Sequence, residues 1–542
     1  MDDRTEATRP AADDATVTPV AEPSPLVDVG PTAADREIPF ELVLAFPGSD
    51  EMQAYALSVG DPSSENFRQF LSAAEIGARF GLADDDLARI TDWAADHGIS
   101  VLATSPQRIA ISAGAPAGTI ESLFDVTFHD YADVTGRTFY APNTEPRVPD
   151  ELDGLVAAIE GLDARPSERP AFSNLIAAGP QNGMTPPIID RAYELEGLRA
   201  LNLHGEGQTV AIVSLDTFDP ADVQRFDQVA GTSGPPVEKV PVNGGVATPG
   251  DGQVEVNLDI DVIRAVAPKA QILDYEAPNQ GGAIQAVIDR IVADGRADIA
   301  SISWGLCELA RSPAAMDRMA TSMAAAAAAG VTVYVASGDH GAYGCLDVNR
   351  TDLRIAVDSP GSDPNVVGVG GKYMSMLEDG TYLDEVAWEE PLIGWGPGGG
   401  LSAHYQRPTW QTGAGVNNAR SNGMRQVPDV AAAADPGSGF FTVSEGQGGS
   451  GGGTSASAPF WAGFTVLVRQ LAEREGVDGL GALGPTLYAV AAAQPSGAVF
   501  RDITRGGNLF DNAGPGWDYA TGLGTPRCTP LARAIVDHVK PG

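Results

Sequence analysis

The stretch DGQVEVNLDIDVIRAVAP, residues 251–268, decides how this chain is read. Its apolar residues recur at helical spacing, and a helix places Glu255 and Asp259, four residues apart, on one face. Two carboxylates that close resist joint ionisation, so the pair loses its protons in two steps and one step is raised. One member can then keep a proton while the other acts as a base. Taken alone, Glu-x-x-x-Asp also describes a solvated acidic helix face. The neighbouring motifs bear on that choice.

Downstream, GGGTSASAPFWAGF (451–464) sets Thr454 and Ser455 between a glycine run and the start of a helix, a place suited to a nucleophilic serine. Upstream, GQTVAIVSLD ends at Asp216. An Asp-to-Ser order of this kind first suggests the subtilisin triad, which needs a histidine at a helix head between the two. The six histidines are His97, His129, His204, His340, His404 and His538, and none fits. His204 precedes the strand, His340 and His404 sit in glycine-rich loops, and the interval holds Glu255 and Asp259 instead.

The 542 residues, 43% of them apolar, suffice for two domains with their own cores. A net charge of −38, from 72 acidic and 34 basic residues, argues against nucleic acid as the main partner. It suits either a solubilising acidic surface or a protein built for acid, whose carboxylates protonate there. Residues 1–36 open with an acidic, Pro/Thr/Ala-rich tail expected to be disordered, with no visible secretory signal. No apolar run reaches the length of a membrane span. Cys307, Cys345 and Cys528 are too few for a disulfide scaffold: one bridge with a free thiol and three buried thiols both remain open.

From 37 to 163 the chain reads as an α+β unit: a strand in IPFELVLAF, helices in DEMQAYALSVGD, DDDLARITDWAADHG and TIESLFDVTF, and a hairpin in SVLATSPQRIAISAG. The Pro/Ser/Gly-containing stretch 164–185 has linker composition, where proteolysis tends to fall. In 186–542, short apolar runs (GQTVAIVSLD, AQILDYEA, ADIASISWG, GVTVYVASGD) alternate with helical stretches, which predicts a mostly parallel sheet flanked by helices. Sites in such sheets form at the carboxyl ends of the strands, which makes Asp216, Trp304 and Asp339 candidates by position.

Together these stretches resemble the sedolisin family of serine-carboxyl peptidases, in particular its kumamolisin-like members. VEVNLDIDVIRAVAPKAQI, SISWG (301–305), ASGDHG (336–341), GGTSASAP, GGGLSAHYQRPTWQ and RQVPDVAAAADPGSG are similar to family signatures in the right order. The resemblance covers roughly residues 37–542 and implies a subtilisin-like α/β catalytic domain preceded by a ferredoxin-like activation prodomain. It implies an acid-acting endopeptidase made as a self-processing zymogen, cut in the linker. Ser455 would be the nucleophile, Glu255 the general base, Asp259 its orienting partner and Asp339 a protonated oxyanion donor, with Trp304 beside the carboxylates. Ser214 stands where some kumamolisin-like members carry a further Glu, which implies a shorter carboxyl network.

FRDITRGGNLFDNAGPGWDYATGLGTP (500–526) is similar to the family's calcium loop. That likeness implies one structural Ca2+ held by Asp502 and Asp518 side chains and by the carbonyls of Ile503, Gly514 and Gly516, an all-oxygen set of the kind calcium takes. Cys307 and Cys345 both follow strands at the proposed active end, where a bridge could form. The expected partners are peptide substrates and the prodomain, in a monomer that binds neither nucleic acid nor membrane and acts outside the cell. A catalytically silent protein of the same fold, and a subtilisin with an unusual histidine, remain alternatives.

Overall fold

The computed structural model describes residues 26–134, 136–170 and 183–540. The first part of the chain builds an antiparallel sheet ordered Ser100–Thr104, Ala110–Pro116, Glu37–Leu44, Val156–Glu160. In chain order, helices lie between the first and second of these strands and again between the third and fourth, which is the ferredoxin-like order the resemblance implies. Alternation drives it: Ile38, Phe40, Leu42 and Leu44 all point into one core with Ile111, Ala113 and Phe124.

Two expectations for this region are corrected. Residues 26–36 are not a disordered tail: Val27–Pro31 pairs antiparallel with Phe128–Ala132, which also pairs with Thr138–Pro142. Residues 1–25 lie outside the described residues. TIESLFDVTF is a helix only in part, because Ala117–Phe124 stops at Asp125, whose φ of 56° is left-handed. Phe128 then begins the next strand.

The second part is a layered α/β body. Its main sheet runs Glu238–Pro241, Gln271–Glu276, Thr209–Ser214, Ile299–Ile302, Thr332–Ala336, Val367–Met376, all parallel. Tyr382–Ala387 closes that edge antiparallel, and Val430–Ala433 pairs parallel with Val367–Met376. Two hydrophobic clusters fill the two sides. The helices Gln253–Val266 and Thr454–Arg474 pack together in one, so the carboxylate pair and the serine belong to one rigid layer.

The other cluster is shared between the two parts. Met52, Tyr55, Ile76 and Phe80 pack with Met319 and Met323 of the helix Pro313–Ala328. At the rim, Gln53 Nε2 donates to the Ala320 carbonyl at 2.9 Å. The N-terminal unit is thus docked on the outer face of the body through an apolar core. Residues 171–182, the centre of the expected processing linker, lie outside the described residues. Just before them, Arg169–Pro170 forms a short strand beside Trp304–Cys307.

Candidate active site

Glu255 and Asp259 occupy the first two turns of the helix Gln253–Val266, and both are buried. The entry to that helix is fixed by Asp216, whose carboxylate accepts the N–H groups of Gly250 (3.0 Å) and Gly252 (2.8 Å). Asp216, a candidate by its place at a strand end, therefore organises the loop. Gly252 has no room for a side chain, since a Cβ would lie 2.5 Å from the Trp304 ring and 2.9 Å from Asp216 Cβ. Trp304 is thereby packed against the start of the carboxylate helix.

Ser455 is the second residue of the helix Thr454–Arg474 and is fully buried. At a helix start its N–H has no intrahelical partner, which leaves a donor available beside the hydroxyl. Ser303 ties the two helices together: its Oγ donates to Asp259 Oδ1 at 2.7 Å and lies 3.3 Å from the Ser455 carbonyl oxygen. Burial drives the Glu255 carboxyl well above the ordinary range, and the charges of Asp259 and Asp339 push the same way. The nearby Ser455 and Ser303 hydroxyls pull in the opposite direction. Ser455 Oγ and both Glu255 oxygens nevertheless lack a hydrogen bond of ordinary geometry among the described residues. The nucleophile and its base are therefore adjacent but not yet locked together.

Asp259 is also raised well above its usual value, by burial and by Asp274, with Ser303 opposing. Asp274, on the strand Gln271–Glu276, accepts a hydrogen bond from the Ser214 hydroxyl and is pushed up to about 7, chiefly by burial. This corrects the expectation of a shorter network: a carboxyl is present, supplied by the neighbouring strand while Ser214 binds it. An aspartate in the middle of the strand run AQILDYEA, directly after Ile272 and Leu273, was the signal that could have found it.

Asp339 follows the strand Thr332–Ala336. Its Oδ1 accepts from the Thr454 N–H at 2.8 Å and the Thr454 hydroxyl at 2.9 Å, while its buried Oδ2 has no partner among the described residues. Burial pushes its carboxyl up to about 7. It can therefore be protonated and offer an O–H beside Ser455. The structure brings Ser455, Glu255, Asp259 and Asp339 into one buried constellation. None of the six histidines hydrogen-bonds to any of these four side chains among the described residues; His340, the neighbour of Asp339, turns to Asp347 at 2.9 Å.

Cys307 and Cys345 form a disulfide, with Cα atoms 4.9 Å apart, while Cys528 is a buried thiol. In the C-terminal loop, Gly514 N–H donates to Asp518 Oδ2 (3.0 Å) and Gly516 N–H to Asp502 Oδ2 (2.9 Å). The carbonyls of Ile503, Gly514 and Gly516 accept no hydrogen bond among the described residues. No group of three or more His, Cys, Asp or Glu side chains placed to hold a metal ion occurs among the described residues, so an ion here would depend on carbonyl oxygens. Two carboxylates and three carbonyls without hydrogen bonds are oxygen donors of the kind calcium takes.

Residues 24–165 match the model of the pro-kumamolisin activation domain, and residues 242–481 that of the subtilase family. The chain is 33% identical to kumamolisin of Bacillus sp. (strain MN-32) over 547 residues, covering 94% of each. It is 28% identical to sedolisin of Pseudomonas sp. (strain 101), covering 88% of this chain and 83% of that one. The structure of Pseudomonas sedolisin, a serine-carboxyl proteinase complexed with two molecules of pseudo-iodotyrostatin, superposes with a TM-score of 0.58 at 26% identity. That match covers 67% of this chain and all of the sedolisin.

Proposed function

This chain belongs to the sedolisin family of serine-carboxyl peptidases, as a kumamolisin-like precursor with its activation domain, and from that premise we propose an acid-acting endopeptidase that processes itself. The observation that carries the reading is the buried convergence of Ser455, Glu255, Asp259 and Asp339, with no histidine bonded to them among the described residues.

In this reading Glu255 takes the Ser455 proton as Oγ attacks the peptide carbonyl. The oxyanion is held by a protonated Asp339 Oδ2 and the helix-start N–H of Ser455. Glu255 then gives the proton to the leaving amine, and the acyl-enzyme remains on Ser455. A water deprotonated by Glu255 then attacks the acyl carbon, and as the second product leaves Glu255 returns that proton to Ser455 Oγ. Asp259, fixed by Ser303, orients Glu255 and sets its proton affinity. Acid favours the route because Asp339 donates only when protonated.

Self-processing follows from the linker's position. Arg169–Pro170 lies as a strand beside Trp304–Gly305, directly after Ser303, whose hydroxyl donates to Asp259. The buried Glu168–Arg311 pair, 2.5 Å apart, holds the linker in that position. The Ser455→Ala chain is expected to stay full-length at low pH while the wild type is cut. Efficient processing of the pure variant would refute self-cleavage.

A calcium ion held by Asp502, Asp518 and the carbonyls of Ile503, Gly514 and Gly516 would brace the C-terminal loop and take no part in the reaction. Action outside the cytoplasm is supported by the Cys307–Cys345 disulfide, a bond that persists in oxidising compartments. No helix among the described residues is long and apolar enough to cross a membrane.

A further inference from the structure

The linker strand has a direction. Pro170 lies opposite Trp304 and Arg169 opposite Gly305, antiparallel. Trp304 follows Ser303, which touches Asp259. From Ser167 to Pro170 the chain therefore runs toward the catalytic groups, as residues on the amino side of a scissile bond would.

Two residues before Pro170, Glu168 is gripped by both backbone and side chain. Asn279 Oδ1 accepts the N–H groups of Ser167 (3.1 Å) and Glu168 (3.0 Å), and its Nδ2 donates to the Glu168 carbonyl (2.9 Å). The Glu168 carboxylate receives a parallel pair of hydrogen bonds from Arg311, Nη1 to Oε1 at 2.8 Å and Nη2 to Oε2 at 2.5 Å. The two side chains are 2% and 7% exposed. Arg311 Nη2 also reaches the Ser359 carbonyl at 3.4 Å, on the strand flanking the other edge of Trp304–Cys307.

A buried, preorganised guanidinium fork matches a carboxylate in shape and charge. Glu168 is the only carboxylate hydrogen-bonded to it among the described residues, so departure of the linker leaves a cation without its partner. A substrate carboxylate restores the pair, whereas an amide or ammonium leaves Arg311 unsatisfied. We propose that Arg311 forms an acid-selective subsite, so that the mature peptidase prefers glutamate two residues before the substrate residue that lies opposite Trp304. The inference rests on the peptidase reading above and assigns it a substrate class.

The test uses enzyme matured by acid treatment of the full chain, with denatured casein as a general substrate. It is given the peptide of residues 163–184 and versions with Gln or Lys at position 168. The assay is run at pH 5, above the ordinary glutamate value of about 4.3. We expect kcat/KM to fall about tenfold or more for Gln and further for Lys. The Arg311→Met enzyme should cut the Glu and Gln peptides within about twofold of each other. Equal rates on all three peptides by the wild type would overturn the subsite and leave the peptidase standing. Casein cleavage with no cleavage of the linker peptide would overturn it too. Failure to cut either substrate would remove the peptidase reading and the subsite with it. The peptide comparison needs no enzyme variant, so the folding of Arg311→Met does not decide it.

Discussion

Thr454 and Asp339 are joined twice: the N–H and the hydroxyl of Thr454 both donate to Asp339 Oδ1, at 2.8 and 2.9 Å. The residue before the nucleophile thus fixes the carboxyl proposed to hold the oxyanion and leaves Oδ2 as the free donor. Asp339→Ala is expected to lower kcat by about 10²–10³-fold, the usual loss for one oxyanion donor. Asp339→Asn keeps a donor that does not titrate, so it should retain more activity than the alanine variant and lose less of it toward neutral pH. Equal activity of Asp339→Ala and wild type would exclude the role.

The buried carboxyls also set how stability varies with pH. Asp339, Asp274 and Glu41 are pushed up to about 7 and Asp363 to about 6, each mainly by burial. A raised acid keeps its proton when folded and loses it when unfolded. Between about pH 4 and 7 the unfolded chain therefore binds fewer protons, and stability falls as pH rises. Below pH 4 these groups are protonated in both states and their contribution is complete. The melting temperature of the Ser455→Ala precursor, which avoids self-cleavage, should be about 5 °C or more higher at pH 4 than at pH 7. A melting temperature that climbs over that range would contradict the assignment.

Calcium should stabilise the wild type and not the variant lacking its carboxylate ligand. Added calcium is expected to raise the melting temperature of the wild type by several degrees, and chelator to remove that gain. Asp518→Ala should show neither response. A calcium response unchanged in Asp518→Ala would place the ion elsewhere.

The catalytic helix and serine were legible because their signals are local: a four-residue carboxylate spacing and a glycine run before a helix. The parallel sheet followed from short apolar runs alternating with helical ones. What could not be read depends on distant pairing. Val27–Pro31 is a strand only because Phe128–Ala132, a hundred residues on, offers its edge. The Cys307–Cys345 bridge depends on where two loops end. Arg311 and Glu168, 143 residues apart, meet only when the linker lies in the cleft. Asp216 was singled out by position at a strand end, but position does not tell a catalytic carboxylate from one consumed by loop N–H groups.

The most direct measurement is peptidase activity from pH 2.5 to 8 with wild type beside Glu255→Gln. An acidic optimum in the wild type, abolished when Glu255 loses its carboxylate, is the predicted result. Activity at neutral pH that survives the substitution would mean that another base serves Ser455, and the carboxylate mechanism would be wrong.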